Sequence, residues 1–274
     1  MKLGIDIGGT TIGVGISDGK KVIDRCSVPS FDRNATLEET ISYLTSVIDG
    51  HISADISGIG IGVPSVVDAE KGIVYNTVNI PSWKEVHLKE ILEDRYHIPV
   101  KINNDANCFV SGAEAVYGNG EDEILVGVTL GTGVGIGVMF GKKILNGANA
   151  GCGELTWLPY NGKTIEDWSG KNFFCSKGID PSNLYESANR GDADSKELFA
   201  EYGKHIASLL CVVIGAYDPN RIVFGGGISA AHKYFEKSMM DSLREKFIFP
   251  ESINKLKIDY LSDSDAAILG ASNL

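Results

Sequence analysis

Lys101-Ile102-Asn103-Asn104-Asp105-Ala106-Asn107-Cys108 packs three side-chain amides and one carboxylate into five residues. The β-favouring run Pro99-Val100-Lys101-Ile102 leads into it, and a helix predicted over residues 108–116 leads out. A strand-to-helix junction at the carboxyl end of a strand is where open α/β sheets place their chemistry. There Asp105 can take a proton from a hydroxyl, while Asn103, Asn104 and Asn107 can orient a polyhydroxylated ligand. The same residue types also cap helices and make turns, and at this point both readings stand.

Working back to the start, residues 2–16 are rich in Ile, Val and Gly and are interrupted by Gly8-Gly9-Thr10-Thr11. This pattern predicts two strands joined by a tight turn. Asp6 points toward that turn, where glycines let a phosphate approach backbone amides and threonine hydroxyls add donors. Taken alone, an ordinary hairpin with glycines chosen for the turn explains it better. Residues 22–28 continue the sheet. Thr36-Leu37-Glu38-Glu39 opens a helix with Leu37, Ile41, Leu44 and Ile48 at helical spacing. A strand over 56–63 carries Gly58, Gly60 and Gly62 on one face, which invites another backbone or a ligand to come close. Asn79-Ile80-Pro81-Ser82-Trp83 forms a loop, and a helix over 88–96 precedes the strand feeding Asp105. An α/β domain is expected to end there.

The second half opens in the same way. A strand over 124–130, Gly131-Thr132-Gly133 and a strand over 134–140 echo residues 5–10 about one domain length later. Repetition of the device suggests a duplicated architecture with two phosphate-binding turns. Gly153-Glu154 follows a loop, and residues 161–180, with Glu166, Asp167 and Trp168, read as a surface segment. Helices are expected over 182–189 and 194–217. A strand at 221–224 runs into Gly225-Gly226-Gly227, and the chain closes with a strand and an Ala-rich helix.

Bulk properties narrow the function. With 43% hydrophobic and 22% charged residues, the chain reads as a soluble globular protein. A net charge of −11 argues against nucleic acid or an anionic membrane as partner, without excluding phosphorylated ligands held by backbone. Five scattered cysteines without a C-x-x-C pair disfavour a disulfide scaffold or a four-cysteine zinc site. No leader pattern precedes Gly4-Ile5-Asp6-Ile7, and the apolar run over 206–217 is expected to be too short to span a bilayer, so a cytoplasmic location is expected. Gly162-Lys163-Thr164 lacks the first glycine of a P-loop, and Gly225-x-Gly227 has too little sheet after it for a dinucleotide fold. The five histidines show no ligand spacing and read as solvated or helix-surface residues.

The motifs Gly4-Ile5-Asp6-Ile7-Gly8-Gly9-Thr10, Gly60-x-Gly62-Val63-Pro64, Asn79-Ile80-Pro81-x-Trp83, Asn104-Asp105-Ala106-Asn107, Leu130-Gly131-Thr132-Gly133-Val134-Gly135, Gly153-Glu154 and Val223-x-Gly225-Gly226-Gly227 occur in that order. In that order they resemble the ROK family of sugar kinases and related proteins, within the actin/hexokinase-like ATPase fold. The resemblance covers essentially the whole chain. It implies an α/β protein of two ribonuclease-H-like lobes with an interlobe cleft. One lobe would span 1–105, the other 106–261, and a C-terminal helix over 262–274 would pack back on the first.

It further implies that Asp105 is the catalytic base taking the proton from a sugar hydroxyl. Gly8, Gly9, Thr10 and Thr11, with Gly131, Thr132 and Gly133, resemble the two phosphate-binding turns. Gly225, Gly226 and Gly227 resemble the adenosine site, and Asp6 would hold Mg²⁺ through water. Asn79, Asn104, Asp105, Glu154 and Glu166 match sugar ligands, since carboxylates and amides suit a ring of hydroxyls. The implied cosubstrate is ATP with Mg²⁺. The family's Gly-Glu-x-Gly-His becomes Gly153-Glu154-Leu155-Thr156-Trp157 here, and its cysteine-rich zinc loop is replaced by a short segment ending at Glu166-Asp167-Trp168-Ser169-Gly170. No structural zinc is therefore expected. Ser65 replaces a common glycine and Thr11 a common lysine.

The expected activity is ATP-dependent phosphorylation of a hexose or hexosamine, with glucose as the leading substrate. Fructokinase or N-acetylhexosamine kinase activity, or a non-catalytic sugar-sensing role, are the alternatives. Retention of Asp6, Asp105 and both Gly-Thr turns favours catalysis. No membrane or nucleic-acid partner is expected, and a homodimer is possible through the apolar helix over 194–217.

Overall fold

A computed structural model describes residues 1–261 and 265–274. Its first strands are β1 (Lys2–Ile7), β2 (Thr11–Ser17) and β3 (Val22–Pro29). Helix α1 (Leu37–Asp49) follows, its amino end closed by a capping box between Thr36 and Glu39. Next come β4 (Ile59–Val63), the short strands β5 (Val66–Asp68), β6 (Ile73–Tyr75) and β7 (Glu85–Val86), and α2 (Leu88–Tyr96). Strand β8 (Val100–Asn104) then feeds α3 (Asp105–Tyr117), which starts three residues earlier than the sequence predicts because Asn104 caps it. The first sheet has the order β3-β2-β1-β4-β8, antiparallel on the hairpin side and parallel across β1, β4 and β8.

The second half repeats the plan. Strands β9 (Ile124–Leu130), β10 (Val134–Phe140) and β11 (Lys143–Ile144) precede the two-residue strands β12 (Pro159–Tyr160) and β13 (Lys163–Thr164). Helices α4 (Ile165–Ser169), α5 (Asn172–Cys175), α6 (Pro181–Asn189) and α7 (Ala193–Tyr217) follow. The chain continues through β14 (Arg221–Gly225), a 3-10 turn (Gly227–Ala231), α8 (His232–Lys246), α9 (Pro250–Lys255), β15 (Lys257–Tyr260) and α10 (Asp265–Ser272). This sheet runs β11-β10-β9-β14-β15, again a hairpin side joined to a parallel side. The expected duplication is thus present as two five-stranded sheets of one topology.

The chain divides into two compact units. The first takes residues 1–119, 137–152 and 265–274, and the second residues 120–136 and 153–261. Helix α3 belongs to the first unit, beyond the boundary expected at residue 105. Of the C-terminal helix expected over 262–274, residues 262–264 lie outside the described residues; from Asp265 it forms α10, packed against α3, β1 and β4 within the first unit. The glycine row on β4 admits backbone rather than a ligand. A Cβ on Gly60 would stand 1.7 Å from the carbonyl oxygen of Ala271 in α10, and one on Gly62 would stand 3.1 Å from the Cys108 sulfur in α3.

Two expectations change in the second unit. Residues 161–180 are not a surface segment, because Phe173 and Phe174 are fully buried and pack on Tyr202 and Phe199 of α7. Their neighbours in sequence are polar, so a short helical turn of apolar side chains carries no periodicity to read. Helix α7 spans 25 residues, and among the described residues it is the one helix long and apolar enough to cross a membrane. Half of that apolar window is buried, through Phe199, Tyr202, Ile206, Leu209, Leu210 and Val213, and its main neighbour is α8.

His205 on α7 is also not a solvated histidine. Its ring stacks on Trp168 at 4.6 Å, and its Nδ1 lies 3.3 Å from the Tyr160 hydroxyl. Burial holds its pKa below the usual value, reinforced by Lys246, Lys177 and Lys204 and opposed by Glu201. The neutral ring is the folded form, whereas the unfolded chain takes up a proton near pH 6.5. Its contribution to stability is therefore present above that pH and is lost as pH falls. The drop in melting temperature between pH 7 and pH 5 should be smaller in His205→Phe than in the parent protein.

Candidate active site

In the first unit, the register of the parallel strands places Asp6 beside Gly62 and Gly62 beside Asn103. The carboxyl ends of β1, β4 and β8 thereby gather Asp6 and, at the first turn of α3, Asp105. A Cβ on Gly62 would stand 3.4 Å from the Asp105 Cα, so the glycine permits this approach. Both carboxylates act on the buried Cys108, whose thiol pKa is raised first by burial and then by Asp6 and Asp105. Asp6 retains some exposed surface, yet the surrounding protein removes enough water to push its pKa up to about 6. Among the described residues no hydrogen bond or ion pair to its carboxylate offsets that cost. Asp105 is half-buried, and its Oδ1 accepts the Ala106 N–H at 2.9 Å.

The three asparagines divide their work. Asn104 Oδ1 caps α3 by accepting from the Ala106 and Asn107 amides at 2.9 and 3.3 Å, and its Nδ2 donates to the Ser65 carbonyl. One amide hydrogen of Asn104 is left for another acceptor. Asn103 and Asn107 are buried and hold each other at 3.0 Å. They reach on to Asn146 and to the Ala150 carbonyl, so they fasten the loop after β11 instead of facing a ligand. The expectation that all three orient a ligand is corrected accordingly.

The first glycine turn is closed by the Gly8 N–H donating to the Thr11 carbonyl at 2.9 Å. Ser30 braces it, donating its hydroxyl to the Gly8 carbonyl and its amide to the Thr10 carbonyl. Gly9, Thr10 and Thr11 stay exposed. Asn79 is brought to this turn, since a Cβ on Gly9 would stand 3.2 Å from its Nδ2. A partnerless buried carboxylate beside a turn of exposed amides and hydroxyls is a donor set that suits a cation together with phosphate oxygens.

In the second unit, β14 and β9 run parallel with Gly225 opposite Thr129, which brings the two glycine motifs together. Gly226 has a φ of +81°, and a Cβ there would meet the Leu130 backbone at 2.4 Å. Gly131 and Gly227 have open space around their Cα hydrogens. The Gly131-Thr132-Gly133 turn is closed by Gly131 N–H donating to the Gly133 carbonyl. It is tied down by the Lys171 amide on the Gly131 carbonyl, each at 3.0 Å.

Glu166, at the start of α4, accepts the Val134 N–H on Oε2 at 3.2 Å. A Cβ on Gly133 would stand 2.9 Å from that same oxygen. Burial raises the Glu166 pKa, the Val134 bond opposes this, and Asp167 and Glu154 add repulsion. Glu154 is exposed, and the Trp157 indole N–H donates to its Oε2 at 3.2 Å. Sequence reasoning missed this pairing, Asn146, and the Glu166 contact. The three-residue spacing of Glu154 and Trp157 was the one signal present. Among the described residues, no group of three or more His, Cys, Asp or Glu side chains is placed to hold a metal ion.

The model of the ROK family matches residues 2–274. A glucokinase from Halalkalibacterium halodurans is 27% identical, with 84% of this chain and 81% of the relative covered. An N-acetyl-D-glucosamine kinase from Vibrio cholerae is 28% identical, with 86% and 87% covered. Among solved structures, a ROK family glucokinase from Streptomyces griseus in complex with glucose and AMPPNP superimposes with a TM-score of 0.83. It is 23% identical, with 99% of this chain and 98% of that one covered.

Proposed function

Since this chain belongs to the ROK family and has its actin-like ATPase fold, we propose that it transfers the γ-phosphoryl group of ATP to a hydroxyl of a hexose or hexosamine, glucose first. The observation that carries this reading is the gathering of Asp6 and Asp105 at the carboxyl ends of three parallel strands of the first unit. Asp105 takes the proton of the attacking hydroxyl and holds its oxygen for in-line displacement. The Ala106 N–H on its Oδ1 holds the carboxylate in place at the first turn of α3. Asn104, through its remaining amide hydrogen, orients a neighbouring hydroxyl, and Asn79 sits where the first turn meets the substrate.

Gly8, Gly9, Thr10 and Thr11 in the first unit, and Gly131, Thr132 and Gly133 in the second, offer amides and hydroxyls to phosphate oxygens. Gly225, Gly226 and Gly227 leave backbone bare for the purine and ribose. Asp6 would be the residue that holds Mg²⁺, and a cation there would relieve its uncompensated burial. The bound cation supplies charge neutralisation for the phosphates. Glu154 and Glu166 accept sugar hydroxyls.

The choice of glucose rests on the glucokinase among the relatives, and N-acetylglucosamine on the second relative. The test is ADP release with Mg-ATP against glucose, mannose, fructose, N-acetylglucosamine and N-acetylmannosamine. Turnover with at least one of them is expected. If none turns over, the reading fails, and a sugar that still raises the melting temperature would mark a binding site without catalysis.

A further inference from the structure

Glu166 joins the Gly131–Gly133 turn to the loop that carries Glu154, all within the second unit. Its Oε2 is committed to the Val134 N–H, the first amide after the Gly131-Thr132-Gly133 turn. Its own backbone N–H donates to the Thr156 carbonyl at 3.0 Å, in the loop that carries Glu154, and the Thr156 hydroxyl reaches the Val134 carbonyl. The residues that follow it complete the support. Gly170 donates to the Glu166 carbonyl at 2.8 Å and lies so near the turn that a Cβ would stand 3.5 Å from the Thr132 oxygen, while Lys171 holds the Gly131 carbonyl. The turn has few fastenings of its own. Its closing bond spans only three residues, and Thr132 is exposed.

We propose that Glu166 is a positioning residue that couples sugar occupancy to the phosphate-binding geometry of the Gly131–Gly133 turn. This rests on the kinase reading above. A carboxylate has two oxygens and about four acceptor sites, so Glu166 can hold Val134 through Oε2 and accept a sugar hydroxyl on Oε1. A hydroxyl donated there fixes the χ angles of Glu166, and with them the amide of Val134. It also stabilises the charge of Glu166 against the repulsion from Glu154. The turn then presents its amides in one arrangement, so a nucleotide meets less ordering cost once sugar is bound. By reciprocity the sugar binds more tightly once nucleotide is bound.

The experiment measures the dissociation constant of AMPPNP with Mg²⁺, with and without saturating glucose, or the sugar the panel selects, by calorimetry. The parent protein should bind the nucleotide about tenfold more tightly with sugar present, within the usual range of such couplings. Glu166→Ala should lose that enhancement while sugar, added at high enough concentration, still saturates. Glu166→Gln, which keeps an oxygen for Val134 and a polar group for the sugar, should restore most of it. A purely structural role would lower both affinities and the melting temperature in Glu166→Ala but leave the ratio with and without sugar unchanged. That outcome, or a full enhancement in Glu166→Ala, or none in the parent protein, overturns the proposal. If the parent protein binds no sugar at all, the kinase reading itself fails, which the sugar titration alone reveals.

Discussion

Asp105→Asn is expected to lower sugar-dependent ADP release by about 10²- to 10⁴-fold, the usual contribution of a positioned general base. That corresponds to about 3–5 kcal/mol of barrier. The substitution is chosen because the Asp105 oxygen that accepts the Ala106 N–H at 2.9 Å can be replaced by an amide oxygen, so α3 keeps its first turn. Asn104 continues to cap the helix. Sugar binding, read as a rise in melting temperature, should therefore survive, and the loss should lie in kcat and not in KM. A variant retaining more than a tenth of the parent rate would remove Asp105 from the role of base. Asp105→Ala should lose at least as much activity, with some stability as well.

Gly270→Ala is expected to destabilise the fold by about 3 kcal/mol or more, at the upper end of what overpacking costs. The added methyl would fall 1.7 Å from the Cys108 carbonyl oxygen and 2.6 Å from the Gly112 amide, both backbone atoms that cannot rotate aside. Gly60, Gly112 and Gly4 make the matching approaches, with methyls at 1.7, 1.8 and 2.1 Å from carbonyls of α10. Four glycines thus let α10 lie backbone to backbone on β1, β4 and α3. A fall in melting temperature on the order of 10 °C is the readout. Gly215→Ala is the control, since it lies inside α7 with open space around it and should be neutral or slightly stabilising. Equal effects at the two positions would discount the packing argument.

Much of the molecule is legible from local pattern. A strand, a glycine-threonine turn and a second strand declare themselves within fifteen residues, and their recurrence at Gly131 announces the second sheet. Asp6 and Asp105 stand out because each ends an apolar strand at a turn, and the register of β1, β4 and β8 brings both to Cys108. The capping box at Thr36 and the glycine stripe on β4 are equally local signals.

What the chain order cannot convey is where each polar group spends its hydrogen bonds. Asn103, Asn104 and Asn107 are the same residue type within five positions. Burial and the arrival of Asn146 and Ala150 turned Asn103 and Asn107 inward, while Asn104 caps α3 and keeps an amide hydrogen to offer. Glu166 reaches the Val134 amide across 32 residues, and Phe173 and Phe174 enter the core from a segment with no apolar period. By itself the sequence determined the strands, the turns and the residue types able to do chemistry, because those follow from backbone sterics and short-range spacing. Tertiary structure alone decided which carboxylate lacks a partner, which amide is spent and which glycine admits a helix. Those outcomes depend on desolvation and contact between residues far apart in the chain.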